Sequence, residues 1–242
     1  MKVYPFLGSF LKSLFGYFVR SIEGIENLPP EGAYILAANH ASHLDQFLLL
    51  SQIVPRLDRK VHVVADKHKW FETSRFRGAI ARFFEAIPLE RGGDTSDGMR
   101  LILERLEAGG IVLLYPEGTR TPTGRLQRAK TGIGRVALTS GVPVVPVGLV
   151  GTFDLLPRNR SLPDMGKRTS VDIRIGQPIS FASLGARNED ASPGIYRRVS
   201  DQVMLGIAAL VGQPYPFARQ PEAAPSASAW TALRVGPPSL LS

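Results

Sequence analysis

The sequence predicts an α/β fold: a mixed, largely parallel central sheet flanked by helices, with an N-terminal amphipathic helix ahead of it. Three observations carry this. Six short β-branched or apolar runs, at residues 33–38, 61–65, 86–89, 111–115, 142–149 and 171–175, have the length and composition of buried strands. Segments of helical periodicity lie between them, and glycines stand where those segments must stop. Strand and helix therefore alternate, as in sheets built from crossover connections.

In chain order, Phe6, Leu7, Phe10, Leu11, Leu14, Phe15, Phe18 and Val19 gather on one side of a helix, with Ser9, Lys12, Ser13 and Arg20 on the other. Lys12 and Gly16 interrupt the apolar stretch and no small-residue cleavage site follows, so a secretory signal is not expected. No run in the chain approaches the roughly 18 to 20 apolar residues that a bilayer span needs. The helix has two possible seats, against its own domain or in a membrane interface. Further helices are expected at 45–53, 69–84, 95–107, 129–139 and 195–211, with Gly109-Gly110 and Gly141 as stops. Residues 213–242 carry six prolines, six alanines and little charge, the composition of a disordered tail. The expected organisation is an N-terminal amphipathic helical segment at 1–24, one α/β domain at 25–212 and that tail.

A chain of 242 residues with 44% hydrophobic and 21% charged residues suits one globular domain and excludes wholesale disorder. Zero cysteines exclude a disulfide framework, thiol catalysis and thiolate zinc sites. The net charge of +8 favours a polyanionic partner: a phosphate-bearing substrate, an acidic lipid surface or nucleic acid. That charge is concentrated. Residues 56–91 hold nine Lys or Arg against five acids, and residues 117–135 hold five against one. A solvated basic face and an anion site both fit the bias.

The most informative segment is Asn39-His40-Ala41-Ser42-His43-Leu44-Asp45, after the first strongly apolar strand and before an apolar helix. Open α/β sheets bind ligands at the carboxyl ends of their strands. Within one regular helix, five steps of about 100° would hold His40 and Asp45 roughly 140° apart, so only a turn lets them meet. In a turn, Asp45 would accept a hydrogen bond from one imidazole nitrogen and fix the tautomer. The other nitrogen is then left to take a proton from an attacking hydroxyl. This makes His40 a general base, since an imidazole with a reference pKa of about 6.5 is available near pH 7. Helix capping by Asp45 or Ser42 is the alternative.

Tyr115-Pro116-Glu117-Gly118-Thr119-Arg120 also follows a strand directly. Pro116 ends it and Gly118 permits a tight turn. Arg120 offers a bidentate fork to a phosphate head group, or else simply one surface ion pair beside a capped turn. Ile87-Pro88-Leu89-Glu90-Arg91 brings a further arginine to a strand end, and the three segments should converge on one edge of the sheet.

These residues resemble the glycerophospholipid acyltransferase family, of the 1-acylglycerol-3-phosphate acyltransferase kind, over about residues 20–180. Asn39-His40 through Asp45 is similar to its Asn-His-x4-Asp catalytic block, and Arg91 falls where its second block supplies an arginine for the acceptor phosphate. Pro116-Glu117-Gly118-Thr119-Arg120 looks like the third block, and Val142-Pro143-Val144-Val145-Pro146-Val147 like the fourth. Tyr115 departs conservatively from the Phe that often opens the third block, and the N-terminal segment is too polar for the span some relatives carry. The resemblance implies that residues 25–212 are an acyltransferase domain. In it His40 and Asp45 are catalytic, and Arg91, Glu117, Gly118, Thr119 and Arg120 bind substrate. It implies direct transfer of a fatty acyl group from acyl-CoA or acyl-acyl carrier protein, as co-substrate, to the hydroxyl of a lysophospholipid, with no cofactor and no metal. No acyl-enzyme is needed, in agreement with the missing cysteine and the missing Gly-x-Ser-x-Gly elbow. The expected setting is peripheral attachment to an anionic membrane surface on its cytoplasmic side, with no nucleic-acid partner.

Other readings differ in class. Another lysolipid or an amino-lipid would serve the same chemistry as acceptor. His43-Leu44-Asp45 fits the His-x-Asp part of a facial iron triad, which His62 or His68 would complete. Gly124 to Thr131 is one glycine short of a phosphate loop and follows no strand directly. A basic nucleic-acid-binding module would explain the charge but lacks a recognisable motif, and a salt-dependent affinity for DNA would reveal it.

Overall fold

Strand β2 (Tyr34–Ala38) is buried along its whole length, which requires cover on both faces of the sheet. The computed structural model describes residues 5–73, 78, 81, 85–90, 93, 95–160, 162–166, 170–184 and 191–218, without the side chains of 5–10. Within these, β1 (Val19–Glu23), β3 (Val61–Asp66), β4 (Ile87–Leu89), β5 (Ile111–Leu114), β6 (Val144–Val150) and β7 (Val171–Ile175) join β2 in a seven-stranded sheet of order β1-β7-β6-β2-β5-β3-β4. β2 pairs in parallel with β5 and β6, β3 with β5 and β4, and β1 with β7, while β6 and β7 are antiparallel. The sheet is thus mixed and largely parallel, and all six expected strands are present.

The pleat of β2 sorts two cores. Tyr34, Leu36 and Ala38 face Leu48, Leu49 and Ile53 of helix α2 (Asp45–Leu57). Ile35 and Ala37 face the other layer, formed by α3 (Ser96–Glu107), α4 (Gly132–Ser140) and α6 (Pro193–Val211). A short helix α5 (Thr152–Leu155) follows β6. α4 and α6 meet so closely at Gly134 that a Cβ there would lie 2.1 Å from the Tyr196 carbonyl oxygen. Only glycine fits at that crossing.

The N-terminal expectation needs correction. Helix α1 (Pro5–Gly16) ends before Val19, and residues 19–23 of the supposed helical segment 1–24 are an edge strand. Phe18, Val19 and Ile22 fit either period, and a distant partner decides: Asp172 of β7 receives Arg20 Nε at 2.8 Å and Ser21 Oγ at 2.9 Å. The last turn of α1 packs on α2, where Phe15 stacks on Phe47 with centroids 5.7 Å apart and Gln52 Nε2 donates to Lys12 O at 3.2 Å. Leu14 is 49% exposed.

Two further boundaries shift. The helix expected over 69–84 opens as a π-turn at His68–Glu72, and most of its remainder lies outside the described residues. The tail expected from 213 is ordered at its start, where Tyr215 is buried, and residues 219–242 lie outside the description. Among the described residues no helix is long and apolar enough to cross a membrane.

Candidate active site

Parallel register builds the site. β2 and β5 are aligned with Ala37 opposite Leu114, so continuing both strands by three residues sets His40 level with Glu117. The contact exists: His40 N donates to Glu117 Oε1 at 2.8 Å. On the other side of β2, Asn39 reads β6 as a peptide group would. Its Nδ2 donates to Leu149 O at 2.9 Å and its Oδ1 accepts Leu149 N at 2.7 Å. These bonds extend the ladder one step past β2 and fix where His40 leaves the sheet.

The chain then turns back on Asp45. Asp45 is fully buried, and its Oδ2 accepts from Ala41 N at 2.7 Å, Ser42 N at 2.8 Å and His40 Nδ1 at 2.8 Å. One oxygen thus orients the imidazole and holds the turn, whereas the helix-capping alternative is not met, since α2 is capped at Leu44 without a side-chain bond. A carboxylate already accepting two backbone N–H groups takes Nδ1–H as the third donor, which leaves Nε2 as the basic nitrogen. The ring lies on Tyr115, centroids 4.0 Å apart and planes 19° apart. Burial, with the Asp45 charge behind it, holds the Tyr115 hydroxyl well above its ordinary value, so the stacking surface stays neutral.

His40, His43, Thr119, Arg120 and Arg158 line a pocket of about 240 Å³ whose other walls are largely apolar: Leu11 and Phe15 from α1, Phe47, Leu50 and Val54 from α2, and Trp70. Gly118 lies elsewhere. It lines a second crevice of about 620 Å³ beyond Tyr115, with φ at +71° and Lys130 so near that a Cβ would sit 2.9 Å from its Cδ. Its part is to permit the turn. Arg91 falls outside the described residues.

Glu117 also departs from expectation, because it is turned into the protein. Beside His40 N on Oε1, its Oε2 accepts Gln127 N at 2.9 Å and Gln127 Nε2 at 3.3 Å, and only 3% of the residue is exposed. It ties two loops together rather than presenting a carboxylate to substrate. Burial pushes its pKa up to about 7, against the opposing pull of those hydrogen bonds. A carboxyl whose folded pKa lies above its unfolded one favours folding below about pH 4.5 and loses that contribution as pH rises through 7. The full span is of order 3 kcal/mol. Wild type should therefore be more stable relative to Glu117→Gln at pH 5 than at pH 8. Urea midpoints at both pH values read this, and an unchanged difference would contradict it.

The iron alternative fails on placement. His62 is level with Val112 and therefore with Ile35, five strand residues or roughly 16 Å below His40, and its Nδ1 faces Glu85 O at 3.2 Å. His68 is exposed and pairs with Glu72 at 3.1 Å. Among the described residues no three His, Asp or Glu side chains are grouped so that they could hold a metal ion.

Residues 19–150, which contain both strand-end segments, match the family described as Acyltransferase. The chain belongs to that family. It is similar to the chloroplastic 1-acyl-sn-glycerol-3-phosphate acyltransferase BAT2 of Brassica napus, 31% identical over 153 residues that cover 60% of this chain and 41% of that protein. The 1-acyl-sn-glycerol-3-phosphate acyltransferase of Bacillus subtilis is 25% identical over 170 residues, covering 69% of this family member and 78% of that relative. The chain spans about two fifths of the length of its chloroplast relatives. The crystal structure of the 1-acyl-sn-glycerophosphate acyltransferase PlsC from Thermotoga maritima shares the fold, with a TM-score of 0.60 at 24% identity over 84% of this acyltransferase-family chain and 79% of that one.

Asn39, Gln127, Tyr115 and Arg158 took no part in the site as read from sequence. Asn39 and Tyr115 stand within the motif segments, but nothing local shows that one pairs with β6 and the other carries the imidazole. Gln127 and Arg158 sit in loops without any motif, and only the fold reveals them.

Proposed function

We propose that the chain transfers a fatty acyl group from an acyl thioester, of CoA or acyl carrier protein, to the hydroxyl of a lysophospholipid, with 1-acylglycerol-3-phosphate as the leading acceptor. One observation carries the reading: the Asp45-oriented imidazole of His40 opens on an apolar pocket that also holds Thr119 and Arg120. The apolar walls suit an aliphatic chain and the guanidinium suits a phosphate. The relatives are named as 1-acyl-sn-glycerol-3-phosphate acyltransferases, which supports the acceptor in this reading.

In this reading the acceptor hydroxyl oxygen attacks the thioester carbonyl carbon while Nε2 of His40 takes its proton. The buried Asp45 carboxylate stabilises the imidazolium that forms. The tetrahedral adduct collapses, the carbon–sulfur bond breaks, and the thiolate leaves with the proton from Nε2. An ester and a free thiol result, and no residue of the chain is acylated. Purified chain, labelled acyl-CoA or acyl carrier protein and a panel of lysolipid and amino-lipid acceptors test the proposal by product mass. Absence of acylated lipid with every acceptor and both donors would refute it.

Membrane attachment is part of the same proposal. Leu11 and Phe15 of α1 turn to the pocket, while Leu14 and Tyr17 are exposed next to them, so the helix can rest on the domain and touch an anionic lipid surface. Leu14→Asp should lower sedimentation with phosphatidylglycerol vesicles by about tenfold or more, the scale of burying one leucine. The melting temperature should hold, because Leu14 is half exposed. Undiminished sedimentation would reject the attachment.

A further inference from the structure

The loop from Thr121 to Thr131, between Arg120 and α4, is gripped from two sides. On the inside, Gln127 bonds Glu117 and also donates from Nε2 to Thr119 O at 3.1 Å, while Lys130 N donates to Pro116 O at 2.8 Å. On the outside stand Gln213 and Tyr215, a few residues past the end of α6. Gln213 accepts Leu126 N on Oε1 at 3.0 Å and donates from Nε2 to Gly124 O at 3.1 Å, so its amide substitutes for a paired strand. Tyr215 Oη accepts Ala129 N at 3.0 Å and donates to Asp201 Oδ1 at 3.1 Å. Arg197 bonds Ala129 O and pairs with Asp201 at 3.5 Å.

Tyr215 and Asp201 are both buried, and the bonds that converge on Asp201 Oδ1 hold geometry more stiffly in such surroundings than they would in water. Burial pushes the Tyr215 hydroxyl up to about 12, so it remains a donor to Asp201 across the working pH range. The loop has regular structure only from Gly132 onward. Its shape up to that point depends on these side-chain bonds.

We propose that Gln213 and Tyr215 are positioning residues for acyl transfer. They clasp the 124–130 loop from outside and so keep Gln127 on Glu117 and Thr119, which fixes the His40 backbone and sets Arg120 beside the pocket. The proposal rests on the acyl-transfer reading above. It joins the exit of the last helix to the acceptor side of the pocket, across 86 residues of sequence between Ala129 and Tyr215.

The test uses the full chain with 1-acylglycerol-3-phosphate and acyl-CoA. Tyr215→Phe keeps the ring and removes the hydroxyl, and Gln213→Ala removes the amide. Each should raise acceptor KM by about five- to tenfold, leave donor KM unchanged and lower kcat by less than about threefold. Amide exchange at Gln127 and Ala129 should speed up by about tenfold while the β2 amides stay protected. Tyr215→Phe combined with Gln127→Ala should be no worse than Gln127→Ala alone, because both act through one linkage. Lower melting temperatures with both KM values intact would overturn the positioning role and leave acyl transfer standing, as would additive losses in the double variant. An unaltered chain that acylates no lysolipid would overturn the acyl-transfer reading and this role together.

Discussion

His40→Ala is expected to lower kcat by about 10²–10⁴-fold, the usual contribution of a positioned general base, with acceptor KM nearly unchanged. Nδ1 is held by Asp45 and the ring by Tyr115, so the side chain is set in place before substrate arrives. Asp45→Asn should follow at about 10²–10³-fold. An amide oxygen at the Oδ2 position can still accept from the three donors, but the charge that stabilises an imidazolium is gone. His43→Ala, at the pocket wall rather than on the Asp45 oxygen that orients His40, should cost less than about tenfold. Single-turnover rates with acyl-CoA separate the chemical step from binding. Ordinary turnover in His40→Ala would remove the proposed mechanism, and an inactive His43→Ala with active His40→Ala would move the base.

The strand ends were legible because two independent signals coincide at each. Residues 34–38 and 111–114 are unbroken apolar runs, and each stops at residues that suit turns rather than sheet. Parallel pairing of β2 with β5 then makes convergence a matter of register, so His40 and Glu117 meet without any local signal between them. The role of Glu117 was not legible for the same reason that its motif was. A carboxylate in a turn beside an arginine reads as a ligand group, and only the fold, which sets His40 N on one oxygen and Gln127, ten residues on, on the other, shows both already taken. β1 was missed because its apolar spacing also completes a helical stripe, and the deciding partner, Asp172, lies 152 residues away. Tyr215 sits in a proline-rich stretch whose composition argues for disorder, yet one buried hydroxyl network holds it.

Arg120→Ala should raise KM for a phosphate-bearing acceptor by about 10- to 100-fold, the range that charged hydrogen bonds of about 1.5–3 kcal/mol imply. The position of the residue is set by its neighbours on both sides. Thr119 O receives Gln127 Nε2 at 3.1 Å, and Thr121 N donates to His40 O at 2.8 Å. The backbone that carries the guanidinium is therefore tied to the backbone that carries the imidazole, so a phosphate held by Arg120 places the acceptor hydroxyl at a fixed offset from Nε2. Arg120→Lys should recover only part of the loss, since an ammonium lacks the planar fork. Arg158 lines the same pocket from an exposed loop, and Arg158→Ala should have a smaller effect in the same direction. The control is a phosphate-free monoacylglycerol acceptor, whose KM should move by less than about threefold in Arg120→Ala. Equal losses for both acceptors would show that Arg120 supports the loop rather than the phosphate.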